Sequence, residues 1–511
     1  MKKIGVFAVL CLLFSCNSDD DRVEQVIEIF VGEVTNIILQ DVADSGDSSD
    51  FQLDFDKADD ESMIAEYRVM LVKDGNDITL EEALEIQEYW TVSPTGSDFQ
   101  NQLPANLNDI DGDAVVNAGV YKAYILSKSN NESDATSSLS KGLIGTEFVD
   151  NIANLEALIA QEMNAWNINA LSIALINEGE VIYSKGFGMH DLANQTEATD
   201  ETLFVTSSMA KLIIATAVMQ QVEQGAIDLD EEVSTYLGYE FRNPNFPNVP
   251  VTVRQLMTQR SSLSLPTFGE IPDLAAIYSW DSAASLPFST WVPNYLLTTG
   301  ANYDPDSWRN YPPDTQHLSS NTGMALLAYM VELVSGVDFR DYADENIFAP
   351  LGMNNTSYRM DIPGSYDDTL LADIFTSTGN TFPDYIYKPD YPAGLLRTST
   401  SEWSNFLIAI LNRGILNGNR ILEESTVDLM LDVQYPDANL AYGAGVALIW
   451  RSLNGWIGHT AGGFVTGSTD VKMEGGKGVV IISNGRQAFT VVPDSNNGLI
   501  YNFAHEYLNG L

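Results

Sequence analysis

Ser208-Met209-Ala210-Lys211 places a hydroxyl and an amine three residues apart at the head of an apolar run. Residues at that spacing are neighbours on a helix. A lysine kept uncharged by burial takes the serine proton and turns a weak nucleophile into one that attacks an acyl carbon. This is acyl-transfer chemistry without a histidine base. The tetrapeptide alone carries little weight, since roughly one chance Ser-x-x-Lys is expected in a chain of this composition, and Ser138-Leu139-Ser140-Lys141 is a second copy. Context separates the two. The second copy lies in a Ser/Asn/Asp-rich stretch that runs into Gly142, so no helix follows it. After Ser208, by contrast, Met209, Leu212, Ile213, Val218, Met219 and Val222 recur at helical spacing until Gly225 stops them.

A serine-lysine pair needs a group that carries a proton to the leaving group, a group that fixes the lysine, and donors for the oxyanion. Ser319-Ser320-Asn321 offers the first two, because a hydroxyl and a carboxamide two residues apart face one cleft when the backbone is extended. Ser319 and Asn321 are also residue types that cap a helix, and one is expected to begin near Asn321. His459-Thr460-Ala461-Gly462, on a late strand, offers a polar edge and exposed N–H groups. Other histidines lack such context: His190 and His317 stand alone, and His505-Glu506 lacks the second histidine of a zinc-protease helix. Gly-x-Ser-x-Gly is absent, which disfavours an α/β-hydrolase. Neither a metal nor another cofactor is expected.

Two domains must position these groups, since 511 residues exceed what one core usually supports. Residues 23–145 read as strand-rich and helix-poor, with Val26 to Phe30, Thr35 to Leu39, Phe51 to Phe55, Tyr67 to Val72 and Tyr121 to Leu126 alternating or running apolar between turns. That spacing predicts an all-β sandwich, loosely similar to immunoglobulin or fibronectin type III domains, serving as a spacer. Within it, Asp109-Ile110-Asp111-Gly112-Asp113 looks like the start of a calcium loop, but the twelfth position is Val120 rather than glutamate, so an acidic turn is expected. Residues 146–511 change period: a helix through Leu155 to Trp166, strands Leu171 to Ile176 and Val181 to Phe187 joined at Asn177-Glu178-Gly179-Glu180, then the Ser208 helix. A Pro-, Trp- and Tyr-rich section, Leu265 to Pro313, is expected to overhang the site as an insertion. Val446 to Trp450, Trp456 to His459 and Gly478 to Ile482 read as strands, and Gly498 to Leu508 as a closing helix. Strands at both ends with helices between predict an α/β domain around one antiparallel sheet assembled from distant segments.

Composition narrows the partners. A net charge of −46 excludes an electrostatic hold on nucleic acid. Cys11 and Cys16 are the two cysteines, so the rest of the chain forms neither disulfides nor thiolate metal sites. Residues 1–16 have a secretory layout, Lys2 and Lys3 before an apolar stretch from Ile4 to Phe14 that is too short to span a bilayer. Leu13-Phe14-Ser15-Cys16 resembles a bacterial lipobox, which implies a lipid on Cys16 and a membrane anchor. Residues 17–22, beginning Asn17-Ser18-Asp19-Asp20-Asp21, resemble the acidic tether of surface lipoproteins of the Bacteroidota. An exported outer-membrane lipoprotein at the cell surface is expected.

The order Ser-x-x-Lys, Ser-x-Asn, then a basic residue followed by Thr and small residues resembles the signature of penicillin-recognising serine hydrolases. From about Val149 to Leu511 the chain resembles the serine β-lactamase-related family, near class C enzymes, DD-peptidases and their esterase relatives. The likeness rests on Phe204 to Lys211, Ile227-Asp228-Leu229-Asp230, Val253 to Thr258, Asn321-Thr322-Gly323 through Ser335-Gly336, Pro350-Leu351-Gly352-Met353 and Pro392-Ala393-Gly394-Leu395. It implies a β-lactamase/transpeptidase-like fold, Ser208 as nucleophile, Lys211 as base, Ser319 as proton shuttle, and Asn321 holding Lys211 and substrate. His459 and Thr460 would line the substrate strand, and the N–H groups of Ser208 and Gly462 would form the oxyanion hole. Three departures bear on activity. Ser319 stands where the class C branch has tyrosine, and a serine hydroxyl relays a proton but is a poor base. His459 replaces a lysine and grips a carboxylate less firmly. Ala461 replaces a glycine and narrows the cleft. The resemblance implies an acyl-enzyme hydrolase of esters or amides, of esterase or D-alanyl peptidase type, taking a small ester, a peptide or a β-lactam. A β-lactamase and a non-catalytic binding protein are the alternatives.

Overall fold

The computed structural model describes residues 30–41, 47–58, 60–73, 78–116, 121–131, 136–145, 152–165, 168–263, 287–359, 366–375, 381–382, 390–436, 445–453, 455–461, 466–484, 504–505, 507–508 and 511. Residues 1–22, expected to hold a signal and tether with Cys16, lie outside them. The chain divides into two units, Met1–Val149 and Asp150–Leu511.

In the first unit the alternation Phe-Gln-Leu-Asp-Phe-Asp buries Phe51, Leu53 and Phe55 and leaves the polar residues between them half-buried, as a strand with one covered face requires. This strand, β2 (Phe51–Asp56), lies between β1 (Thr35–Asp41) and β5 (Phe99–Gln102). A second antiparallel sheet runs β4 (Trp90–Val92), β3 (Ile64–Lys73), β6 (Tyr121–Ser129), β7 (Ser138–Gly145). Leu39, Phe51, Leu53 and Phe55 from the first sheet share one buried cluster with Tyr67, Val69, Tyr121 and Ile125 from the second. The unit departs from the all-β expectation. A short helix, α1 (Leu80–Glu85), opened by a Thr79/Glu82 capping box, covers Met70, Val72, Tyr124 and Leu126 on the other face of the second sheet. Strands apolar on both faces require such a cover.

Two motifs in this unit resolve. Ser138-Leu139-Ser140-Lys141 lies in β7, where a period of two sends residues three apart to opposite faces. In the acidic turn, Asp109 is fully buried, its Oδ1 accepts the N–H groups of Asp111 and Asp113, and Lys73 Nζ lies 3.0 Å from its Oδ2. A lysine occupies the charge position a cation would take.

The second unit is built on eight antiparallel strands in the order β10-β9-β8-β15-β14-β13-β12-β11. Here β8 is Ala170–Asn177, β9 Glu180–Asp191, β10 Thr196–Glu197, β11 Gly445–Val446, β12 Arg451–Leu453, β13 Trp456–Ala461, β14 Thr466–Lys472 and β15 Lys477–Ser483. The β8–β9 hairpin turns on Glu178 and Gly179, both at positive φ, which matches the strand twist. The sheet closes where β8 meets β15, with Ile173 opposite Ile481 and Asn484 Oδ1 accepting the N–H of Ala170, 314 positions away.

Helices cover the sheet: α2 (Ile152–Ala165), α3 (Lys211–Glu223), α4 (Val253–Met257), α5 (Phe288–Leu296), α6 (Asn321–Ser335) and α7 (Thr400–Leu411). Every residue of α3 from Lys211 to Gln221 is buried, as befits a helix apolar all round. Two expectations are corrected. The described part of the Leu265–Pro313 section is not an overhang, because Phe288, Trp291, Val292 and Leu296 fall at helical spacing and, with Trp308, are buried in the main core. The strand expected over Val446 to Trp450 ends at Val446. There the chain turns, Ile449 takes φ 73°, and the N–H of Ala447 donates to Trp450 O. Central strand β14, sequence TGSTDVK, was hidden by its polarity. Of the closing helix, Ala504, His505, Tyr507 and Leu508 are described and helical.

Candidate active site

The Ser208 turn is held by a short ladder. Phe204 and Val205 pair with Thr398 and Arg397, and both the N–H and Oγ1 of Thr206 donate to Leu396 O, at 2.8 and 3.1 Å. Ser207 then takes φ 45°, in the left-handed region that non-glycine residues rarely occupy. Ser207–Ala210 form one 3₁₀ turn before α3 begins at Lys211. This tighter turn eclipses residues three apart. Lys211 Nζ accordingly lies 2.5 Å from Ser208 Oγ. Lys211 is 1% exposed, while Ser208 is only part-buried and reachable.

The lysine's second acceptor is a backbone atom. Lys211 Nζ donates to Ala393 O at 3.4 Å, from the 3₁₀ turn Tyr391–Ala393. The sequence marked Pro392-Ala393-Gly394-Leu395 only as part of the family pattern. A carbonyl that acts through tertiary placement has no side-chain signature to read.

The Ser319-Ser320-Asn321 triplet divides its labour. Ser320 is buried and caps α6, its Oγ accepting the N–H of Gly323 at 3.0 Å. Capping thus falls to the middle residue, while Ser319 and Asn321 on either side are exposed. Among the described residues neither side chain has a hydrogen-bond partner. The expected bond from Asn321 to Lys211 is absent there, and the Ala393 carbonyl occupies that place.

Strand β13 and the 391–393 turn both pack on the 207–210 turn, and α6 packs along α3. On β13, His459 is 2% exposed. Its Nδ1 lies 2.7 Å from Thr460 O. A carbonyl only accepts, so Nδ1 carries the proton, and in the neutral ring Nε2 is an acceptor. That Nε2 is buried and unpartnered among the described residues. Burial first, and then the charge of Arg451, hold the imidazole well below its ordinary pKa, so it is uncharged at neutral pH. Nearby His317 is pushed down to about 4 by burial and by Arg451 and Arg260. Thr460 is half-buried; Ala461 ends the strand. Gly462, expected in the oxyanion hole, lies outside the described residues, as does the side chain of Ala461.

The strand is placed from behind. His459 pairs with Thr469 of β14, whose Oγ1 accepts Trp403 Nε1 from α7 at 2.9 Å. Gly458 permits the register: a Cβ there would sit 2.0 Å from Thr469 O and 2.2 Å from Asp470 Oδ1. Among the described residues no cluster of His, Cys, Asp and Glu could hold a metal.

An antiparallel sheet closed by segments from both ends of the domain, with a part-buried serine beside a buried lysine at the head of its central helix, defines the β-lactamase/transpeptidase-like α/β class. A family profile described as Beta-lactamase matches residues 155–497, and the chain belongs to that family, whose members are serine hydrolases. The chain is 22% identical over 296 residues to Protein flp of Staphylococcus aureus (strain MRSA252), covering 58% of this chain and 56% of that protein. It thus spans about half the length of the curated relatives it matches. Among solved structures it is similar to the octameric penicillin-binding protein homologue from Pyrococcus abyssi, with a TM-score of 0.57, 23% identity, and coverage of 69% of this chain and 80% of that one. It is also similar to the D-alanine carboxypeptidase AmpC from Burkholderia cenocepacia, with a TM-score of 0.52, 18% identity, and coverage of 71% and 100%. At these identities the structural likeness concerns the fold.

Proposed function

We propose that the second unit hydrolyses ester or amide substrates through an acyl-enzyme on Ser208, as an esterase or D-alanyl peptidase. The observation that carries this reading is the 2.5 Å contact between Ser208 Oγ and a lysine amine that is almost wholly buried. Lys211, as the free amine, takes the hydroxyl proton while Oγ bonds to the acyl carbon. Ser319, exposed and unpartnered among the described residues, relays a proton to the leaving group, and water then releases the acyl group. Asn321 contacts substrate, and the β13 edge at Thr460 and Ala461, with the N–H groups of Ser208 and Gly462, aligns the carbonyl.

His459 weighs on substrate choice. An uncharged ring whose free nitrogen is an acceptor gives a substrate carboxylate little hold, which favours neutral esters over efficient β-lactam turnover. The likeness to a D-alanine carboxypeptidase from Burkholderia cenocepacia keeps a D-alanyl peptide in view. The purified protein and Ser208→Ala are incubated with p-nitrophenyl acetate, nitrocefin and a fluorescent penicillin. Ester turnover that the variant loses is the expected result. Stable penicillin labelling marks a D-alanyl peptidase, and fast nitrocefin colour a β-lactamase. Silence on all three in folded protein overturns hydrolysis and leaves a binding protein. We also infer that Cys16 carries a lipid, that the chain is an outer-membrane lipoprotein exposed at the cell surface, and that the first unit is an immunoglobulin-like spacer. Loss of membrane association in Cys16→Ser is the check.

A further inference from the structure

We propose that the phenol of Tyr358 is a positioning residue for Lys211, clamping the two backbone segments that place its amine. The proposal rests on the acyl-transfer reading above. The single O–H proton of Tyr358 is shared between Pro392 O at 3.2 Å and Ala210 O at 3.4 Å. Each acceptor is one residue from an atom that matters: Pro392 precedes Ala393, whose carbonyl holds Lys211 Nζ, and Ala210 precedes Lys211 itself. One hydroxyl thereby ties the acceptor of the amine to the start of its own helix.

The phenol is built in rather than draped over the site. Tyr358 is 7% exposed, with its ring packed against Phe339, Phe348 and Tyr391 at centroid distances of 5.7, 6.2 and 5.7 Å. Its backbone is anchored to the ladder that carries the nucleophile. Ser357 exchanges hydrogen bonds with Arg397 at 3.0 and 3.1 Å, and Arg397 pairs with Val205. Tyr391 of the clamped turn is in turn stacked on Phe288, 5.7 Å between centroids, and lies under the Arg340 guanidinium. Burial, and the charge of Asp344, raise the phenol far above its ordinary pKa, so it stays a donor at any assay pH. Among its hydrogen-bond acceptors are only carbonyls of the site, so removing the oxygen leaves the aromatic packing in place.

The test is Tyr358→Phe in the full chain, with p-nitrophenyl acetate kinetics across pH, labelling by a fluorophosphonate probe, and thermal unfolding. With Lys211 less well placed, kcat falls about tenfold, or ~1.4 kcal/mol, KM stays within about twofold, and the acid limb of the kcat–pH profile moves. In a Lys211→Met background the same substitution has no further effect on residual kcat, because both act through one amine. Equal kcat and an unmoved pH profile, in a wild type that labels at Ser208, overturn the clamp alone. A kcat loss that persists undiminished in the Lys211→Met background also overturns it. A wild type that no probe labels overturns the acyl-transfer reading and the clamp with it.

Discussion

Replacing Lys211 with methionine separates the chemistry of the site from its stability. Methionine keeps an unbranched side chain of similar reach and removes the nitrogen. The contacts that disappear include the 2.5 Å approach to Ser208 Oγ and the 3.4 Å bond to Ala393 O. Loss of a positioned general base costs about 100- to 10,000-fold, equivalent to about 3–5 kcal/mol on the barrier. Stability moves the other way or not at all. The amine is 1% exposed, and exchanging a desolvated polar group for an apolar one of similar shape is often neutral or stabilising. Against this stands the carbonyl left without its donor, a long bond worth no more than about 1 kcal/mol. The unfolding free energy should therefore stay level or rise by up to about 2 kcal/mol, while acylation nearly stops. The assay pairs fluorophosphonate labelling rates with urea unfolding on wild type, Lys211→Met and Ser208→Ala. Labelling of Lys211→Met at the wild-type rate, with Ser208→Ala unlabelled, refutes the lysine as base. A variant that unfolds before it can be assayed refutes the stability half of the argument.

Three further outcomes follow from single features. The folded His317 ring is pushed down to about 4 from the usual 6.5, so between those values the unfolded chain binds a proton that the folded chain does not. Its contribution is full above pH 6.5 and is lost as pH falls through 4. His317→Gln should flatten that slope by about 2 kcal/mol after discounting for partial exposure, measured as the difference between variant and wild type in unfolding near pH 7 and near pH 4.5. Gly458→Ala drives a methyl into Thr469 O and Asp470, parts β13 from β14, and should cost about 2–3 kcal/mol in denaturant unfolding, with slower labelling. Lys141→Ala, in the strand-borne copy of the motif, should leave the Ser208 labelling rate within about twofold of wild type, because a strand sends Ser138 and Lys141 to opposite faces.

Much of the site was legible because its key spacing is local. Ser208 and Lys211 are three residues apart, and a turn of any tight helical kind brings such residues together, so their meeting needed no long-range information. The Ser319 triplet was legible as a group, but its division of labour was not: three adjacent polar residues offer equal claims to cap α6, and backbone direction at the helix entrance chose Ser320. The second Ser-x-x-Lys lies in β7, where a period of two turns its serine and lysine to opposite faces.

What the chain determined alone is whatever depends on pattern along the backbone: the antiparallel sheet of the second unit drawn from both ends, the buried α3, the −46 charge. Tertiary structure decided what depends on atoms without a residue-type signal. Ala393 O and Ala210 O act as backbone carbonyls, Gly458 acts by lacking a side chain, and β14 owes its central place to neighbours on both sides rather than to its own polar sequence. Backbone groups are nearly identical at every position, so only the path of the fold can make one of them part of a site.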